Sequence, residues 1–155
     1  MSRTYGYGIV GCGVISPVHL EAISRVPRAK LVATCDLVEE RAKAAAEKWG
    51  AEAYYKDFND LLAREDIDVV HITTPSSHHH VVSIAASKAG KHSFVTKPID
   101  VTLENIDAMI AAAQENGVKL AAVHQFRAYA SYSALKKAVE EGRLGTIYYG
   151  NAFVP

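Results

Sequence analysis

The chain has 155 residues, 49% of them apolar and 22% charged, and its 17 basic and 17 acidic side chains cancel. That length suits one α/β domain with a single core, and a net charge of zero offers no one-signed field to attract nucleic acid or an anionic membrane surface. No apolar run approaches the roughly 20 residues that cross a bilayer, and no signal-peptide core follows Met1, so the expected partner is a small molecule and the expected location cytoplasmic.

Tyr7-Gly8-Ile9-Val10 predicts a first buried strand, and a helix over about 15–26 follows a glycine turn. Leu31-Val32-Ala33-Thr34-Cys35 predicts a second strand ending at Asp36, then a helix over about 38–49 stopped by Gly50. A short helix over about 57–64 precedes the strand Val69-Val70-His71-Ile72-Thr73, and a helix over about 78–89 ends before Gly90. His92-Ser93-Phe94-Val95 and Lys119-Leu120-Ala121-Ala122-Val123 are the last strands of this pattern, separated by a helix over about 102–116 with Thr102 at its start. Short strands alternating with longer helices require right-handed crossovers, so the expected fold is α/β, a doubly wound parallel sheet of the Rossmann type. A further helix over about 131–142 leads into a strand-like apolar run over 146–155.

The chemistry concentrates after the first strand. Gly11-Cys12-Gly13-Val14-Ile15-Ser16 reads as a dinucleotide fingerprint with serine in the third glycine's place. Gly11 permits the sharp turn, Gly13 lets backbone N–H groups approach a pyrophosphate, and the helix N-terminus adds partial positive charge. Asp36 falls about twenty residues on, where a carboxylate can accept hydrogen bonds from both adenosine ribose hydroxyls and repel a 2′-phosphate, which favours NAD over NADP. The alternative is that Asp36 merely caps the helix after it. Thr73, Thr74, Pro75 and Ser76 follow the strand of 69–73 at its carboxyl end, where ligands sit in open α/β sheets.

Other groups read as structural. Consecutive histidines on a helix point in different directions, so His78-His79-His80 cannot converge on one ion, and no metal is expected. Cys12 and Cys35 lie in or beside apolar strands and are expected reduced and mostly buried. His19 is expected to pack or cap, and Tyr54-Tyr55 and Tyr148-Tyr149 lack the basic stripe that would accompany base stacking.

Taken in order, Gly11-Cys12-Gly13 with His19, Asp57-Phe58 before Leu61-Leu62, Thr74-Pro75 with His79, Gly90-Lys91-His92, Thr96-Lys97-Pro98 and Gln125-Phe126-Arg127 make the chain resemble the glucose-fructose oxidoreductase, inositol dehydrogenase and rhizopine-catabolism (Gfo/Idh/MocA) family along nearly its whole length. The resemblance implies a dinucleotide-binding domain over 1–124. It also implies that 125–155 is the connecting helix and first strand of a second α/β domain that is absent here, one that would supply a catalytic histidine and a homo-oligomer interface. The cofactor contacts it implies are Gly11, Cys12, Gly13, Val14, Ile15, Asp36, Thr73, Thr74, Pro75, His79, Thr96, Lys97, Gln125 and Arg127. Lys97 matches the lysine of the family's Glu-Lys-Pro motif. There an ammonium can bind the substrate oxygen, stabilise alkoxide character as hydride leaves carbon and assist proton transfer, aimed by a cis bond to Pro98. Thr96 replaces the family's glutamate, which removes a carboxylate from the cofactor's edge. Gln125 and Arg127 would face nicotinamide or substrate, and Arg127 has the alternative of a surface ion pair.

The expected activity is hydride exchange between NAD(H) and a secondary alcohol of a sugar or cyclic polyol by the longer protein, the fragment alone being inactive. A non-catalytic NAD-binding or sensing module is the first alternative, and an S-adenosylmethionine-binding domain the second.

Overall fold

A computed structural model describes residues 3–153. The elements run β1 (Tyr5–Val10), α1 (Ser16–Ser24), β2 (Ala29–Cys35), α2 (Glu39–Trp49), β3 (Ala53–Tyr55), α3 (Phe58–Leu62), β4 (Val69–Ile72), a 3-10 turn (Ser76–His78), α4 (His79–Lys88), β5 (His92–Val95), α5 (Leu103–Glu115), β6 (Leu120–Ala122), a second 3-10 turn (Gln125–Ala128) and α6 (Ala130–Glu140). The chain divides into two compact units, one running to Val123 and the other from His124 onward.

In the first unit the strands form one parallel sheet in the order β3-β2-β1-β4-β5-β6. Alternation along the strands feeds two cores. Ile9 and Leu31 meet Leu20 and Ile23 of α1, with Trp49 of α2 packed alongside. Val10, Val32, Val70, Ile72 and Val95 face the other way, toward Leu61, Val82, Ala86 and Met109 from α3, α4 and α5. Helices therefore cover both faces, which is the doubly wound arrangement expected. Because β2 and β4 flank β1 on opposite sides, the chain leaves the carboxyl ends of β1 and β4 in opposite directions and opens a crevice there.

Local signals act as expected at several ends. Thr102 accepts the Asn105 N–H at 3.2 Å and opens α5. Gly50, at φ 74°, closes α2 with its N–H on the Ala46 carbonyl at 2.9 Å. The sheet contains one strand more than the sequence pattern indicates: β3, whose Ala53, Tyr54 and Tyr55 pair with Ala33, Thr34 and Cys35. Tyr55 packs on the core and Tyr54 is exposed.

The second unit holds the 3-10 turn, α6 and an extended stretch. Phe126, Tyr129 and Tyr132 gather their rings at centroid distances of 5.4–6.3 Å. The strand expected over 146–155 does not form: residues 146–153 are in no strand, and Val154 and Pro155 lie outside the described residues. A strand needs a ladder partner for its backbone groups, and the described residues of this unit contain no other strand to provide one. No described helix is long and apolar enough to cross a membrane.

Candidate functional site

The turn after β1 is fixed from two sides by three hydrogen bonds. Gly11 donates its N–H to the Cys35 carbonyl at 2.8 Å, while Thr73, just past β4, donates its own N–H to the Val10 carbonyl at 2.9 Å and its hydroxyl to the Gly11 carbonyl. Gly11 stands at φ 97°, and a Cβ there would lie 2.7 Å from the Thr73 carbonyl and the Thr74 nitrogen. Only glycine satisfies both the dihedral and the approach. Gly13 differs: its φ is ordinary and a Cβ would meet nothing within 4 Å, so neither strain nor packing within the chain calls for glycine. Ser16 is buried and donates its hydroxyl to the Gly13 carbonyl at 2.7 Å, at the start of α1. Val14 is 101% exposed, so its side chain touches nothing else in the chain, and Ile15 is also exposed.

Asp36 is not the cap of α2. That position is Val38, whose side chain makes no cap hydrogen bond. Asp36 instead accepts the Cys12 N–H on Oδ2 at 2.7 Å and the Val38 N–H on Oδ1 at 2.8 Å, tying the glycine turn to the end of β2. Each oxygen retains a lone pair for a further donor. Cys12 and Cys35 are both free thiols, pushed up to about 12 by burial and by the Asp36 charge, so they stay protonated.

Beyond β4, Thr73 is buried, Pro75 is exposed, and the Thr74 Oγ1 is buried without a hydrogen-bond partner among the described residues. The three histidines take three directions. His78 meets the Ser77 hydroxyl, His80 meets Asp100, and His79 is 1% exposed, with ring nitrogens close to Thr74, Pro98 and Ile99 carbonyls. His79 thus lies beneath the crevice as part of its floor. Thr96 is buried too, its hydroxyl donated to the Ile72 carbonyl at 3.3 Å. Lys97, next in the chain, is exposed, and no described carboxylate pairs with it. Its bond to Pro98 is cis.

Asp36, Gly11–Gly13, Thr73–Thr74 and Lys97 therefore follow β2, β1, β4 and β5, which are neighbours in that order. Three strand spacings cover roughly 14 Å. Gln125 and Arg127 lie in the second unit, where no described carboxylate pairs with Arg127.

One buried group escaped the reading of the sequence. His71 of β4 is 4% exposed, has no hydrogen-bond partner on either nitrogen among the described residues, and lies between the rings of His19 and Phe94 at 4.5 and 4.7 Å. Burial, with a smaller contribution from His19, brings it down to about 3, so the ring is neutral. The signal was a titratable residue inside an apolar strand. His19 packs, as expected.

The oxidoreductase family with an NAD-binding Rossmann fold, Gfo/Idh/MocA, matches residues 5–124. D-apiose dehydrogenase of Paraburkholderia graminis is 37% identical over 92% of this chain and 38% of its own length. Inositol 2-dehydrogenase of Salmonella typhimurium is 38% identical over 89% of this chain and 42% of its own. Among solved structures, the WlbA dehydrogenase of Bordetella pertussis in complex with NADH and UDP-GlcNAcA superposes with a TM-score of 0.89 at 38% identity, over 94% of this chain and 45% of that one. The scyllo-inositol dehydrogenase of Lactobacillus casei with bound NAD(H) and scyllo-inositol gives 0.87 at 32% identity, over 94% and 43%. The chain spans about two fifths of the length of these curated relatives.

Proposed function

Because the chain belongs to the Gfo/Idh/MocA family of NAD-binding Rossmann-fold oxidoreductases, we propose that the crevice at the ends of β2, β1, β4 and β5 holds NAD(H) for hydride exchange with a secondary alcohol of a sugar or cyclic polyol. The observation that carries this is Gly13. A Cβ there would stand in open space, beside Cys12, whose N–H is held by Asp36, and three residues before α1, and an approaching pyrophosphate accounts for a glycine at this position.

Asp36 accepts ribose hydroxyls on its remaining lone pairs and repels a 2′-phosphate, so NAD is preferred to NADP. The exposed apolar Val14, Leu37 and Val38 flank the adenosine. Bound NAD supplies the hydride acceptor. Lys97 would bind the substrate oxygen and stabilise its developing charge. The relatives that are dehydrogenases of apiose and inositol support the polyol class.

Titrating NADH fluorescence against the 155-residue chain, with NADPH alongside, tests the cofactor assignment. NADH binding that exceeds NADPH binding by tenfold or more is expected, and equal affinities would remove the role given to Asp36. Thr96 supports a second reading, a domain that binds NAD without turnover, because its hydroxyl faces inward and leaves Lys97 without the carboxylate next to it. Turnover of any polyol by the longer protein excludes that reading.

A further inference from the structure

The ring of His79 has acceptors on both sides. Nδ1 lies 3.0 Å from the Pro98 carbonyl and 3.2 Å from that of Ile99, and Nε2 lies 2.8 Å from the Thr74 carbonyl and 3.3 Å from the Thr96 hydroxyl. A carbonyl oxygen only accepts. In either neutral tautomer one bare nitrogen would direct its lone pair at a carbonyl 3.0 Å away or nearer, inside a site where an unmade hydrogen bond costs most. The Thr96 O–H cannot relieve this for Nε2, since the Thr74 carbonyl would still face a lone pair at 2.8 Å. Only a ring with a proton on each nitrogen satisfies every contact.

These oxygens come from two different segments. Thr74 lies two residues past β4, whereas Pro98 and Ile99 form the turn directly after Lys97. We propose that His79 is a positioning residue which, donating from both nitrogens, ties the Lys97-Pro98-Ile99 turn to the carboxyl end of β4 and so sets where the Lys97 ammonium stands.

The next residue reinforces the same turn from the same helix end. His80 donates its N–H and its ring Nδ1 to Asp100 Oδ2, each at 3.0 Å, while Val101 N–H and the Asn105 amide occupy Oδ1. Burial alone would raise the Asp100 carboxyl, yet these hydrogen bonds hold it well below the usual carboxylate range, so it is an anion. The charged and titratable groups around the clamp are then Asp100 and Lys97 on the turn and His80 on α4. No described carboxylate contacts the His79 ring, whose polar neighbours are three carbonyl oxygens and one hydroxyl.

The role in catalysis rests on the reading of Lys97 given above, whereas the clamp itself does not. The test uses the uniformly 15N-labelled 155-residue chain. Long-range proton–nitrogen spectra are expected to show His79 with two slowly exchanging ring N–H protons and both nitrogens at protonated shifts, and a single N–H would overturn the double donor. In His79→Gln the amide signals of Lys97 and Ile99 are expected to move or broaden while that of Gly13 stays. NADH is then expected to shift Gly13 in both proteins but Lys97 in the parent alone. A Lys97 response equal to that of the parent would overturn the positioning role. Absence of any NADH-induced shift in the parent would instead count against the cofactor reading and leave the ring measurement standing. Should His79→Gln fail to fold, the ring spectra of the parent decide the matter.

Discussion

Replacing Gly11 and Gly13 separately by alanine separates what the fold needs from what the ligand needs. At Gly11 the new Cβ enters at φ 97°, a conformation that costs an L-residue about 1–2 kcal/mol, and stands 2.7 Å from three backbone atoms of Thr73 and Thr74. Those atoms belong to the segment that donates to Val10 and Gly11, so they cannot swing aside as a flexible side chain would. Overpacking against such a neighbour adds about 1–3 kcal/mol. The total, about 2–5 kcal/mol, is a large part of the roughly 5–15 kcal/mol that holds a domain together. Gly13→Ala meets nothing and stands at an ordinary φ, so its stability is expected within about 1 kcal/mol of the parent. Urea unfolding followed by circular dichroism measures both. NADH titration then completes the pair: Gly13→Ala is expected to stay folded and bind at least tenfold more weakly, and Gly13→Glu to lose binding. A Gly11→Ala protein as stable as the parent would refute the β1–β4 contact argument, and full NADH affinity in Gly13→Glu would refute the pyrophosphate assignment.

The remaining expectations are as follows. His71 titrates near 6.5 when unfolded and near 3 when folded, so the unfolded chain binds more protons between those values and stability falls as pH falls through that window. Between pH 7 and pH 5 the loss from this ring is about 2 kcal/mol in urea unfolding, and His71→Phe should remove most of it; an unchanged pH slope in that variant would count against a buried neutral ring. Asp36→Asn keeps an acceptor for the Cys12 N–H but loses the charge, so the preference for NADH over NADPH should narrow by about tenfold in parallel titrations, corresponding to about 1.4 kcal/mol. Lys97→Ala should leave thermal stability within about 0.5 kcal/mol, because the side chain is exposed and without a described ion partner, yet lower hydride transfer by the longer protein at least a hundredfold.

Strands such as Ile9-Val10 and Val69-Val70 were legible because they are buried on both faces and therefore carry continuous apolar, β-branched runs. β3 was not, since three residues with alternating exposure and two tyrosines give too short a pattern to separate from a loop. The glycine turn and Asp36 were legible as a spacing. Their hydrogen bonds were not, because the Cys12 N–H reaches across 24 positions to a carboxylate that sequence assigns to the ligand. His79 shows the same gap more sharply: its position in the chain is recognisable, but the four oxygens around its ring arrive from β4 and from the turn after β5, and only tertiary structure brings them together. The run over 146–153 misled because its composition suits a strand whereas strand formation depends on a neighbour.

The place of β1 has a bearing on synthesis. It is made before every other described element, yet it lies inside the sheet, and its pairing with β4 joins Tyr7 to Val69, which is 62 positions later. At about 5–20 residues per second a ribosome takes roughly 3–12 s to cover that interval. Throughout it, one edge of an apolar strand has no partner, and the crevice that later forms between β1 and β4 does not yet exist. Chaperone occupancy of the nascent chain should therefore rise once β1 has emerged and fall only after β4 has cleared the exit tunnel.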